Sequence, residues 1–160
     1  KIKGMIENRR RMRDCLLRHA VRKTDATGSM DKDHSPGAAS TEDGEANVMS
    51  LSENDRMFVE KATDIVLDNI SNTDFSIGTL CMEMAMSRTL FYSRLKSLTG
   101  RAPQEFIRII RLERAAELLK IGGSVVDVSE STGFINVKYF STVFKKYFGI
   151  QPSRYAEETD

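Results

Sequence analysis

The longest unbroken helical pattern in the chain lies between Ala102 and Gly122, and the flanking sequence is organised about it. Phe106, Ile109, Ile110, Ala116 and Leu119 recur at the spacing that gathers apolar side chains on one broad helix face. Pro103 suits a first helical position, where its missing N–H leaves nothing unsatisfied. Gly122 and Gly123 supply a stop. The pattern predicts a rod over residues 103–121, roughly 28 Å long at ~1.5 Å per residue.

The chain before the rod resembles the chain after it. Ser76, Ile77 and Leu80 answer to Ser124, Val125 and Val128 at an offset of 48 residues. Phe91, Leu95, Gly100, Pro103 and Phe106 answer to Phe140, Phe144, Gly149, Pro152 and Tyr155 at an offset of 49. The extra residue falls near Ala85 in the first copy and Gly133 in the second. Each copy reads as a short helix, a tight turn and a longer helix closed by Gly, which is a helix-turn-helix. Gly133 permits a left-handed turn residue. Ala85 would lose roughly 1 kcal/mol there, so the first turn is expected to take a different geometry.

Inside the copies the pattern assigns faces. Ser76 caps a helix to about Met84 with Ile77, Leu80, Cys81 and Met84 inward. Ser87 caps the next, with Phe91, Leu95 and Leu98 inward. Arg88, Thr89, Tyr92, Ser93 and Lys96 then face out. In the second copy Ser124 caps a helix with Val125, Val128 and Ser129 inward. Asn136 caps the last long helix, where Phe140, Val143, Phe144 and Tyr147 pack. Val137, Lys138, Ser141, Thr142 and Lys145 point away. Upstream, SENDRMFVEKATDIVLDNI predicts a first core helix carrying Met57, Phe58, Ala62, Ile65, Val66 and Ile70 on one face, capped by Ser52 or Asn54.

The N-terminal third has a different character. Residues 1–23 form a basic helical pattern with a broken stripe of Ile2, Met5, Ile6, Met12, Leu16 and Leu17. It reads as a solvated helix at the end of an upstream receiver domain, or as a DNA-binding arm. Residues 24–53 form an acidic linker, poor in apolar side chains and expected to be disordered.

Charge sharpens the division. The net charge of +1 argues nothing by itself. Residues 1–23 carry 9 Lys/Arg against 2 acids, residues 24–87 carry 3 against 13, and residues 88–155 carry 12 against 5. A basic C-terminal module behind an acidic stretch fits nucleic-acid binding. A face of Arg, Lys, hydroxyls and one aromatic suits base edges and phosphates; read alone, such a face is equally an ordinary solvated one, and the repeat decides for DNA.

Other chemistry is poorly provided for. Cys15 and Cys81 are too few and too far apart for a disulfide scaffold or zinc site, and Cys81 falls at a small inward position. The reduced cytoplasm is the expected setting. With two His, no phosphate loop and no metal-ligand spacing, neither an enzyme nor a cofactor is expected. No apolar run is long enough for a membrane span. The competing class is a helical protein-interaction module without direct DNA readout, for which acidic or apolar outward faces would be expected.

The run MSRTLFYSRLKSLTG, then PQEFIRIIRLERAAELL, then GFINVKYFSTVFKKYFGIQPSRY is similar to the AraC/XylS family of bacterial transcription regulators. The spacing G-F-x(5)-F-x(3)-F-K-x(2)-F-G-x-x-P-x-x-Y from Gly133 to Tyr155 is its most specific part. The resemblance implies an all-α, seven-helix domain over residues 54–156. Its two helix-turn-helix units, 75–100 and 124–149, are joined by the linker helix 103–121 and preceded by the basic helix and the disordered linker. It also implies a sequence-specific regulator binding double-stranded DNA in adjacent major grooves. Its readers would be Arg88, Thr89, Tyr92, Ser93 and Lys96 in the first unit, and Asn136, Val137, Lys138, Ser141, Thr142 and Lys145 in the second. Ala85 departs from the Gly common at that turn. Ser93 and Thr142 stand where many relatives carry a longer side chain, which points to weaker or water-mediated readout there.

The basic N-terminal helix and acidic linker resemble the output end of hybrid two-component (phosphorelay) regulators of Bacteroidetes. That resemblance implies receiver and sensor domains upstream in the same chain and control of carbohydrate-utilisation genes. Partners it allows are a second copy, through the upstream part, and RNA polymerase; no membrane contact is expected.

Overall fold

The computed structural model describes residues 10–12, 14 and 52–158. Across 52–158 the chain forms α1 (Glu53–Asp68), α2 (Ile77–Glu83), α3 (Arg88–Thr99), α4 (Pro103–Lys120), α5 (Val125–Ser131), α6 (Val137–Phe148) and α7 (Pro152–Glu157), with no strand among the described residues. No helix among them is long and apolar enough to cross a membrane.

Side-chain caps set the starts. Ser52, Ser76, Ser87 and Ser124 each accept from a backbone N–H three residues on, satisfying donors that the first helical turn leaves orphaned. α4 and α7 have no side-chain cap and begin instead on Pro103 and Pro152. The repeat therefore extends further than two units. Each long helix ends at a left-handed glycine (Gly100, Gly149), and a proline-started helix follows, α4 in one copy and α7 in the other.

The rod α4 belongs to two cores at once. Its first half buries Phe106, Ile107, Ile109 and Ile110 against α1, α2 and α3, with Val59, Val66, Leu80, Phe91 and Leu95. Its second half buries Leu112, Ala115, Ala116 and Leu119 against α5 and α6, with Val128, Phe134, Phe140 and Phe144. Tyr155 of α7 closes the second core, its ring 5.4 Å from Phe144 and 5.3 Å from Phe148. Arg94 ties α3 to α1, paired with Asp55 at 3.3 Å and lying 4.4 Å from the Phe58 ring centroid.

Three expectations need correction. In α1, Met57 is exposed and Val59 takes the inward place. The rest of the expected face holds, with Phe58, Ala62, Ile65 and Val66 buried and Ile70 packed against them. The first turn does not take a different geometry: Ala85 has φ 54°, left-handed like Gly133 at 82°. The hydrogen bonds agree, Met86 N–H to Cys81 O at 3.0 Å and Phe134 N–H to Ser129 O at 2.9 Å. The additional residue comes after the turn and is Ile135, 86% exposed. Lastly, the N-terminal segment is not wholly solvated, since Met12 is buried and Arg11 lies beside Glu113 and Glu117 of α4. The remainder of 1–23, and the linker up to residue 51, lie outside the described residues.

Candidate nucleic-acid interface

The outward faces of α3 and α6 carry the candidate readers other than Asn136, which caps α6 from the residue before it. Phe91 and Leu95 anchor α3 in the first core, Phe140 and Phe144 anchor α6 in the second, and this fixes what turns outward. Thr89, Tyr92, Ser93, Lys96, Lys138, Thr142 and Lys145 are exposed, while Val137 and Ser141 are half-buried. Neither helix contains an acidic residue, so the faces are cationic without local neutralisation. The Lys96 ammonium sits 5.8 Å from the Tyr92 ring centroid, one turn along the helix.

Several of these side chains have a structural partner, and for Asn136 it is the helix start it was expected to cap. Asn136 Oδ1 accepts from the N–H of Lys138 at 2.8 Å and of Tyr139 at 3.2 Å. Its oxygen is held by the helix start, and its amide nitrogen is the part left for a ligand. Thr142 donates to the Lys138 carbonyl at 2.9 Å, so its hydroxyl offers acceptor rather than donor capacity. Arg88 folds back over the start of α2. A Cβ placed on Gly78 would come 2.7 Å from its guanidinium nitrogen, so glycine there leaves the arginine its room.

Between the two units lies a cleft of about 600 Å³. α4 contributes Gln104, Arg108 and Arg111, the first unit contributes Ser76, Gly78 and Arg88, and the second contributes Phe134, Ile135, Asn136 and Tyr139. No acidic side chain lines it. Three arginines of α4, Arg108, Arg111 and Arg114, stand three residues apart and have different fates. Arg114 pairs with Glu117 at 3.0 Å, and Arg111 donates to the carbonyls of Gly133 and Asn72. Arg108 stays exposed in the cleft. Burial lowers the Arg111 pKa from its usual value, though a guanidinium remains charged throughout the ordinary pH range.

Sequence reasoning missed Ile135, Tyr139 and Leu90, all exposed apolar side chains at the starts of α3 and α6. Leu90 and Tyr139 stand one position before the inward Phe91 and Phe140, off the buried stripe, and Ile135 lies outside the helix, before the cap Asn136. Cys81 is buried, and burial pushes its thiol pKa up against a smaller lowering from Arg88. Among the described residues no group of His, Cys, Asp or Glu could hold a metal ion.

A family model described as a helix-turn-helix domain matches residues 80–158. Histidine kinase P4 of Formosa agariphila is 38% identical over 108 residues, covering 67% of this chain and 8% of that protein. The chain spans 27% to 34% of the length of several further regulators it matches. The C-terminal domain of the two-component response regulator yesN from Fusobacterium nucleatum is similar in structure. It has a TM-score of 0.55 and 28% identity, over 61% of this chain and 95% of that one. The DNA-binding domain of AdpA, in complex with a target DNA, matches with a TM-score of 0.57 and 28% identity, over 61% and 88%.

Proposed function

With residues 80–158 belonging to the AraC-type helix-turn-helix family, we propose that this DNA-binding domain reads double-stranded DNA through α3 and α6, set in two successive major grooves. One observation carries the reading. Two helices without a single acidic residue face outward on either side of an arginine-lined cleft, each anchored by a pair of fully buried aromatic or aliphatic side chains. Lys96, Lys138 and Lys145 reach phosphates, which position the protein without reading sequence. Thr89, Tyr92, Ser93, Val137, Ser141 and Thr142 lie over base edges, with hydroxyls and apolar atoms as the reading groups. Arg88 and Arg108 meet the backbone where it passes the cleft, and the free amide of Asn136 borders it.

In the longer protein this domain is the output element of a phosphorelay regulator in the cytoplasm. The match to a small fraction of a histidine kinase and to a response-regulator C-terminal domain supports that placement. Receiver and sensor domains would stand upstream in the same chain, and the signal and the genes, of carbohydrate use or otherwise, are set by those domains and by the operator.

Retardation of a duplex selected from a random pool, repeated across a salt series, tests the reading. Replacing phosphate-bound counterions makes log affinity fall steeply with log salt, by about 0.9 per phosphate contact. A flat response, or no selectable duplex, would favour protein docking instead.

A further inference from the structure

Arg111 sits on α4 where one core gives way to the other, and its guanidinium reaches both units. Nη2 donates to the Asn72 carbonyl at 3.1 Å, in the segment that leads into α2. Nη1 donates to the Gly133 carbonyl at 3.3 Å, in the turn between α5 and α6. Its Nε is buried without a partner, and no ion pair among the described residues includes it. Two carbonyl dipoles therefore hold a partly buried charge that a carboxylate would ordinarily hold.

Gly133 supplies a second, independent observation. A Cβ there would lie 2.4 Å from the Ile70 carbonyl oxygen, beyond the end of α1, and 3.0 Å from Arg111 Cζ. The second unit's turn thus touches the first unit backbone to backbone. Ala85 shows that the turn conformation itself tolerates a methyl group, since it adopts φ 54° at the equivalent place. What Gly133 serves is the contact between units.

We propose that Arg111 and Gly133 form a brace that fixes the first helix-turn-helix unit against the second, making Arg111 a positioning residue that sets the spacing of the two DNA contacts. Without the brace the units are coupled through α4 and through Tyr147, which packs against both cores, and can rock about the middle of α4. The spacing consequence rests on the DNA reading given above; the brace itself does not.

The test has two arms. In the first, spin labels go on Ser97→Cys and Lys146→Cys, both exposed, with Cys15→Ser and Cys81→Ser, and the distance distribution is measured by pulsed electron paramagnetic resonance. Arg111→Met keeps the apolar stem and removes both donors. Its distribution should broaden or shift while helicity by circular dichroism stays unchanged. Gly133→Ala should do the same with the guanidinium still present, and it serves as the reading if Arg111→Met does not fold. A distribution as narrow as the parent's in a folded variant would overturn the brace.

The second arm uses a duplex selected by the parent chain, with one or two base pairs added or removed between its half-sites. Arg111→Met should bind each isolated half-site as the parent does. Its penalty for altered spacing should shrink from roughly tenfold to within about twofold, because avidity depends on both contacts being engaged at once. An equal loss on half-sites and joined sites, or an unchanged spacing penalty, would overturn the positioning role. If the parent selects no duplex, the DNA reading fails, and the distance arm still judges the brace.

Discussion

At the scale of single residues, the two lysines placed in the last turn of α3 and at the start of α6 should separate binding from folding. Lys96 and Lys138 are exposed and belong to neither core. Lys96→Ala and Lys138→Ala should each leave the thermal midpoint within about two degrees and lower the salt slope of duplex binding by about one unit. A large stability loss with unchanged affinity would mean that the faces are assigned backward. Ala85 allows an opposite experiment. Its left-handed φ strains a residue with a Cβ, so Ala85→Gly should raise stability by about 0.5–1 kcal/mol despite the greater freedom of glycine in the unfolded chain. Calorimetry would show the midpoint rising by several degrees, and a fall would mean that the turn is not strained. These residues also mark where the sequence stops being informative. Spacing located the outward faces, but it gives faces and not rotamers. It therefore could not show that Arg88 turns back over Gly78, or that Arg111 serves two carbonyls 22 and 39 residues away.

At the scale of elements the sequence was far more legible, because caps and stops are local chemistry. Ser52, Ser76, Ser87, Ser124 and Asn136 begin the helices they were expected to begin, and Gly100 and Gly149 close α3 and α6. Faces were less certain where apolar residues adjoin. Met57, Phe58 and Val59 are consecutive, and only packing decides that Met57 is the one left in water. Phe75 and Phe134 are buried from loop positions, where no helical period could point inward. The element most dependent on packing is α6. Phe144 touches the rings of Phe140, Phe148 and Tyr155 at 5.6, 4.5 and 5.4 Å, and it is fully buried. Phe144→Ala should cost ~3–5 kcal/mol, a large part of a small domain's stability. The expected result in hydrogen exchange is early loss of protection across α5, α6 and α7, with α1 to α3 affected less and DNA affinity falling as a consequence. A folded variant that merely changes sequence preference would instead make Phe144 a reader.

At the scale of the whole molecule, the continuous helix from Pro103 to Lys120 determines how DNA can be met. Eighteen residues rise about 27 Å, and the rod is gripped by a core at each end rather than hanging between two domains. The two outward helices are therefore held to a narrow range of separations, within which the contacts of Arg111 and Gly133 act. Adjacent-turn half-sites lie ~10–10.5 base pairs apart and each helix covers several more, so protection should extend over about 17–20 base pairs on one face of the duplex. Five added base pairs between the half-sites would carry one groove to the far side of the duplex. Following it would require α4 to yield by about half a turn of rotation while Leu112 and Ile110 stay buried in different cores, and neighbouring side chains in close-packed interiors do not yield that far. Affinity for the lengthened site should fall to that of a single half-site, and ten added base pairs should restore the facing but leave the grooves too far apart for a 27 Å rod. Binding that tolerates five extra base pairs would show that the units act one at a time, or that only one of them meets DNA.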